Sequence, residues 1–310
     1  MKTQAISGPA FAALLLVALL MGSNHIAARI AFDHGADVAA AVVMRSSMTA
    51  VVVGLIILVQ GVSIRMTPRH KKILPLVGIL FTIQSVTLYS SVARLPVSLA
   101  LLAFNTYPLW IAMWARVLYQ ERPEPLVLKA MPIMLIGLAL ALDVFGAASG
   151  LGVQRQWQEI GLGVAFALTA GCSFGLGMVL IQHKAADLDG RVRTVATMAM
   201  VGVLTVIGAQ FTDALQWPTV AVGWWGLIAL SVLYGTGFTI MFTVLPRLGV
   251  VGNSAIMNVE PIIALVLGWL ILGQKIAGMQ VVGACIVVTT VILLGLRKKK
   301  TSACVASGYR

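Results

Sequence analysis

Two stretches of this chain carry the same frame, and together they restrict the fold more than any other feature. Residues 94–122 read RLPVSLALLAFNTYPLWIAMWARVLYQER, and residues 247–275 read RLGVVGNSAIMNVEPIIALVLGWLILGQK. Each opens on Arg-Leu, places Asn eleven and Pro fourteen residues after the Arg, and closes on a basic residue at the twenty-eighth. Four shared spacings imply an internal duplication with an offset of 153 residues, Asn105 to Asn258. Each copy is apolar and long enough to cross a bilayer, which takes ~20 helical residues. Yet each holds a polar Asn and a helix-disturbing Pro (Pro108, Pro261) near mid-depth. Paired interrupted segments in matching halves are the sequence mark of a transporter binding site.

Lipid must be the solvent. Of 310 residues, 59% are hydrophobic and 10% charged, with a mean hydropathy of +0.97. A soluble chain of this length has no interior large enough to hide so much apolar surface. Ten apolar runs follow one another: 9–32, 37–59, 73–93, 96–118, 126–146, 159–182, 193–211, 222–245, 250–272 and 276–296. The first is expected to stay as a span rather than be cleaved as a leader, since the polar Gly22-Ser23-Asn24-His25 leads into further apolar sequence.

The basic residues orient these spans. With the N-terminus inside, fifteen Lys and Arg fall in cytoplasmic segments and three (Arg94, Arg155, Lys275) outside. Both termini are therefore expected in the cytoplasm. Five spans per half is odd, so the second half should enter the membrane upside down relative to the first. The expected fold is an all-α integral membrane protein of ten transmembrane helices, two inverted five-helix repeats. The first repeat covers 1–146 and an external linker 147–158; the second covers 159–296, with a basic cytoplasmic tail at 297–310. The net charge of +12 is spread over short loops, so it reads as an orientation signal and not as a nucleic-acid surface. The tail lysines can also touch anionic lipid, though orientation is the stronger reading. Cys172, Cys285 and Cys304 have no metal spacing and suggest no disulfide.

In the first half Gly22-Ser23-Asn24, Arg45, Asn105, Pro108 and Glu121-Arg122, and in the second Glu260-Pro261, Gly268-Trp269, Gly273 and Gly283, occur in an order found elsewhere. In that order, across both copies, the chain resembles the EamA-type branch of the drug/metabolite transporter superfamily. It departs at Met21, where the family often has Trp, and at Gln274, where it often has Glu. The resemblance implies export of small metabolites, amino acids especially, by alternating access around a central cavity in the bacterial inner membrane.

Glu260 is the most costly residue, a carboxylate at mid-membrane. Two functional roles are open to it: contact with a substrate amine, or proton carriage, which would couple transport to protons. A structural acid held by a neighbouring helix is the plain alternative. Asn258 and Glu260 point about 160° apart on a regular helix, so both face one cavity only if Pro261 distorts the turn. Arg45 lies too deep in the second run to snorkel. It either binds a substrate carboxylate or neutralises Glu260. Ser23, Asn24 and His25 form a polar notch in the first span, in which a packing role is the stronger reading for His25. Gln84 opens a polar stripe with Thr87 and Ser91. Asn105 and Asn258 are the symmetry-related pair, open to cavity lining or interhelical bonding. Tyr89 and Tyr234 can reach a substrate. Arg116, Lys129 and Asp143 read as solvated interface residues.

No catalytic constellation or cofactor motif accompanies these residues. A transporter of a small-molecule substrate, an exporter first and an uptake or exchange carrier second, outweighs a membrane enzyme or a structural membrane protein. Substrate, coupling and oligomeric state are not encoded legibly.

Overall fold

The computed structural model describes residues 8–121, 125–143, 145, 152–212, 214–240, 260–274 and 277–296. The predicted position of Asn258, and the tail at 297–310, lie outside them. Every regular element among the described residues is a helix. The first half holds α1 (Gly8–Asp33), α2 (Val38–Val59), α3 (Pro68–Val92), α4 (Val97–Phe104), α5 (Tyr107–Tyr119) and α6 (Pro125–Ala141). The second half holds α7 (Val153–Lys184), α8 (Gly190–Gln210), α9 (Ala221–Thr239), α10 (Glu260–Leu272) and α11 (Gly278–Leu296). Six helical stretches among the described residues are long and apolar enough to span a membrane, with α4 and α5 counted as one, and four shorter apolar helices join them. Large apolar side chains such as Leu58, Ile136, Trp225 and Trp269 stand exposed on their outer faces. That surface is suited to lipid tails.

The span predicted over 96–118 is broken where its Asn lies. α4 stops at Phe104, and the orphan carbonyls at its end are met locally. The Asn105 backbone N–H and its Nδ2 both donate to the Leu101 carbonyl, at 2.8 and 2.9 Å. Thr106 Oγ1 donates to the Ala103 carbonyl at 2.8 Å. The chain restarts as α5 with Pro108 in its first turn, where a missing N–H costs nothing.

The 153-residue offset carries over into the helices. Moving the start of α3, residue 68, by 153 gives 221, where α9 begins; moving the start of α6, residue 125, gives 278, where α11 begins. Packing obeys the same exchange. The α1–α9 contact has its mate in α7–α3, α2–α9 in α8–α3, and α1–α10 in α7 against α4 and α5. The α2–α8, α6–α11 and α4–α10 contacts are their own mates. One close approach shows the register. A Cβ on Gly22 would meet Ile263 Cγ2 at 3.0 Å, and one on Gly175 would meet Trp110 Cβ at 2.8 Å. Gly22 and Trp110 become Gly175 and Ile263 under the offset, so glycine lets the helices touch at equivalent points in both halves.

Contacts at the two ends fix the helix directions. At one end, rich in charge, the α2–α3 turn, the end of α5 and the α7–α8 turn meet. Arg191 Nη1 donates to Gln60 Oε1, Arg69 donates to the His183 carbonyl, and His183 Nε2 lies 2.8 Å from Glu121 Oε1. At the other end Asp37 N–H donates to the Gln216 carbonyl at 3.1 Å, and Gln216 N–H to Asp37 Oδ2 at 3.2 Å. α1 therefore finishes, and α7 begins, at the same end. Arg29 ion-pairs with Asp33 at 2.9 Å and donates to the carbonyls of Val92, Ala93 and Leu95, closing the end of α3. Asp143 is buried rather than solvated, because it takes a left-handed turn (φ 48°) after α6, where Gln156 Nε2 donates to the Leu142 carbonyl.

Candidate functional site

Polar residues from five helices meet in the interior. α1 supplies Asn24 and His25, α2 supplies Arg45, α3 supplies Ser85 and Tyr89, α9 supplies Tyr234 and α10 supplies Glu260. Asn24 and Tyr89 are both fully buried. Burial demands partners: Tyr89 Oη donates to Asn24 Oδ1 at 2.8 Å, and Asn24 Nδ2 donates to the Met21 carbonyl. His25 follows Asn24 by one residue and so leaves the helix on a neighbouring face. Its Nε2 lies 3.2 Å from Glu260 Oε1, and its ring centroid is 5.5 Å from that of Tyr89.

Glu260 is thus paired with His25, and of the two readings open for Arg45 the one in which it neutralises Glu260 is corrected. Among the described residues Arg45 makes no ion pair. Its guanidinium carbon sits 4.1 Å from the Tyr234 ring centroid and 4.8 Å from that of Tyr89. Nη2 donates to Ser85 Oγ at 2.8 Å, and Ser85 in turn donates to Gln84 Oε1 at 3.3 Å. Two aromatic faces and a hydroxyl replace water around a charge that a membrane interior would otherwise reject. The cation–π faces are why an arginine can be buried here without a carboxylate.

Tyr89, Tyr107 and Tyr234 all lie within electrostatic reach of Glu260. Two buried nitrogens in this cluster, His25 Nδ1 and Arg45 Nε, have no hydrogen-bond partner among the described residues. Glu260 is the open member, with 23% of its side chain exposed against 6% for His25. The cluster therefore holds an accessible carboxylate, a sealed cation and a buried Arg45 N–H without a partner among the described residues.

The structure brings together Asn24, His25, Arg45, Gln84, Tyr89, Tyr234 and Glu260 from the residues singled out in the sequence. Ser23 adjoins them, half-buried on α1. Asn105 turns back on its own helix instead, at the α4–α5 break. Pro108 lies in the first turn of α5, and Pro261 lies buried on α10 beside Glu260. Thr87 donates to its own helix at Ile83. Two residues escaped the sequence reading. Ser85 is four residues before Tyr89, on the same face of α3, and that spacing was the available signal. Tyr107 occupies the position equivalent to Glu260 under the 153-residue offset, so the duplication itself pointed to it.

A second aromatic group borders this region. Phe104, Tyr107 and Phe174 lie 5.1–5.6 Å apart between ring centroids, and Phe81 stacks on Phe174 at 5.9 Å. Phe81 and Phe174 are the offset equivalents of Tyr234 and Met21. The first half supplies most of the polar groups and also Phe81, Phe104 and Tyr107; the second half adds Phe174.

Comparison with known proteins agrees with this architecture. The EamA-like transporter family matches the chain twice, over residues 8–142 and 161–296. The two matches start 153 residues apart, the offset read from the duplicated frame. An uncharacterized transporter of Synechocystis sp. is 26% identical over 234 residues, 73% of this chain and 67% of its own. The threonine/homoserine exporter RhtA of Salmonella typhimurium is 25% identical over 204 residues, 64% of this chain and 63% of its own, so the aligned stretch spans less than two thirds of that relative. One protein crystal structure, 15% identical, superposes with a TM-score of 0.60 over 93% of this chain and 97% of its own, which shows a shared fold.

Proposed function

The chain belongs to the EamA-like transporter family and is a multi-pass membrane transporter rather than an enzyme; from that premise we propose that it exports small amine-bearing metabolites. Amino acids such as threonine and homoserine, the substrates in the name of one relative, are the first to try. We place it in the bacterial inner membrane, with ten spans and both termini in the cytoplasm. The repeated offset and the opposite directions of α1 and α7 support reading the halves as inverted repeats.

The observation that carries the substrate class is the buried cluster around Glu260. Glu260 is its most accessible charged group, so a solute ammonium reaches it first and makes a charge-assisted hydrogen bond. Displaced from that carboxylate, His25 keeps its contact with the Tyr89 ring. Arg45, sealed between Tyr89 and Tyr234, acts as a fixed positive charge whose field favours a solute carboxylate on the near side. Elements of both halves build the site. A rocking of one half against the other therefore opens it to either face in turn, which is alternating access.

The test is efflux. Cells with and without the protein are preloaded with labelled threonine, homoserine and a panel of other amines, and loss of label is followed. Faster loss of one or more amines that Glu260→Gln abolishes, with the variant still in the membrane, supports the reading. Acceleration of only neutral or anionic solutes, or net accumulation from outside, overturns it.

A further inference from the structure

At the charge-rich end, outside the central cluster, Pro68, Arg69, Lys72, Ile73 and Lys184 line a cavity of about 380 Å³. It lies where the first turn of α3 meets the last turn of α7. Arg69 is partly engaged: it donates to the His183 carbonyl, and the Asp187 carboxylate, held by His70 at 3.0 Å, is within its electrostatic reach. Lys72 and Lys184 have no carboxylate partner among the described residues. Lys184 Nζ lies 5.8 Å from the Tyr119 ring centroid. Two cations beside one cavity, neither paired with a carboxylate among the described residues, call for an anion.

The surroundings say which kind. Lys72 leads a stripe on α3 that continues as Leu76, Ile79 and Ile83, each 40–45% exposed. Their spacing of four, three and four residues keeps them on one face of the helix. A cation at the membrane edge followed by an exposed apolar stripe matches an anionic headgroup followed by its acyl chain. The duplication supplies an internal comparison. Under the 153-residue offset Arg69 and Lys72 become Val222 and Trp225, and Lys184 becomes Ala31. The equivalent positions at the other end thus carry no cation, so the charge at this end is not a by-product of the repeated fold.

We propose that this cavity binds the headgroup of an anionic phospholipid whose acyl chain lies along Leu76, Ile79 and Ile83. Lys72 belongs to the first half and Lys184 to the second. A headgroup between them ties the halves together at this end, beside the Arg69–His183 contact.

The probe is phosphatidylglycerol. Purified protein is equilibrated with mixed micelles of phosphatidylglycerol and phosphatidylcholine, and retained lipid is counted by native mass spectrometry alongside thermal unfolding. Wild type should retain phosphatidylglycerol selectively and unfold at a higher temperature with it. The doubly substituted Lys72→Gln/Lys184→Gln should bind it about 30-fold more weakly, about fivefold per cation removed. Arg65→Gln/Lys71→Gln removes the same charge from the same end but touches no cavity-lining residue, and should keep nearly wild-type binding. Equal loss in both double variants would mean diffuse surface attraction and would overturn the site. So would protection by inorganic phosphate as strong as that by the lipid, which would make this an anion site without an acyl-chain component. Equal retention of phosphatidylcholine would overturn it as well.

Discussion

The pairing of Glu260 with His25 rather than Arg45 is open to a direct energetic test. His25→Phe keeps a ring against Tyr89 and removes the nitrogen that faces Glu260. A hydrogen bond to a charged group contributes ~1.5–3 kcal/mol. Glu260 keeps 23% of its side chain exposed, so water recovers part of that loss and the low end, about 1.5 kcal/mol, is expected. Arg45→Gln gives up the 2.8 Å bond to Ser85 and contacts with two rings. At ~1.5–3 kcal/mol for the bond and ~0.5–2 for each ring, the cost is about 2.5–7 kcal/mol. Combining each substitution with Glu260→Gln closes two double-mutant cycles, read from unfolding free energies in lipid–detergent micelles. His25 and Glu260 should couple by about 1 kcal/mol or more, whereas Arg45 and Glu260 should add to within ~0.5 kcal/mol. The reverse result, a strong Arg45–Glu260 coupling with an additive His25 cycle, would refute the arrangement.

Three further outcomes are expected. Gly175→Ala places its Cβ 2.8 Å from Trp110 Cβ and 3.0 Å from the Ile111 backbone nitrogen, and should destabilise by ~1–3 kcal/mol in the same assay. Gly22→Ala should cost less, since its nearest contact is the Ile263 Cγ2 methyl at 3.0 Å and its nearest backbone atom lies at 3.3 Å; an order reversed between the two would count against the packing described. The hydrogen bond to His70 is the main cause that holds the Asp187 carboxyl below its ordinary value of 3.8. A lowered value stabilises the folded state fully above pH 3.8, and that contribution is lost as pH falls through the lowered value. Asp187→Asn should remove that part of the acid dependence, and an unchanged pH–stability curve would show that the contact contributes nothing. In a version without native cysteines, Arg65→Cys should react with an impermeant thiol reagent only from the cytoplasm and Gln158→Cys only from outside; labelling from one side would end the inverted reading.

Much of this architecture is legible in the sequence because lipid leaves few alternatives. Hydrophobic length fixes where α1, α2 and α8 run, and the frame around Asn105 and Pro108 marks the break between α4 and α5. The cost of burying Asn24, His25, Arg45 and Glu260 singled them out before any contact was known. What the sequence does not give is the lateral neighbour. Spacing along a span reports depth and face, but whether α1 or α2 presents its polar group to α10 depends on how the helices pack. For that reason Arg45 looked like the partner of Glu260, while Tyr89 and Tyr234 occupy its faces. Asp143 shows the same limit: its position near a span end suggested water, and the turn after α6 buries it.

The two ends of the molecule are tied in different currencies. At the charge-rich end the halves are joined by Arg191–Gln60 and His183–Glu121, where side chains make the bond. At the other, both bonds between Asp37 and Gln216 use the main chain of residue 216, which survives any substitution there except proline. Selection can therefore retune the grip at the charged end one residue at a time, and ionic strength can loosen it within a single cell. The opposite closure offers one such handle, the Asp37 carboxylate, while its other bond is main chain to main chain. Descendants of this chain that differ in the speed of one half-cycle should carry their differences at Gln60, Glu121, His183 and Arg191, while position 216 drifts without effect.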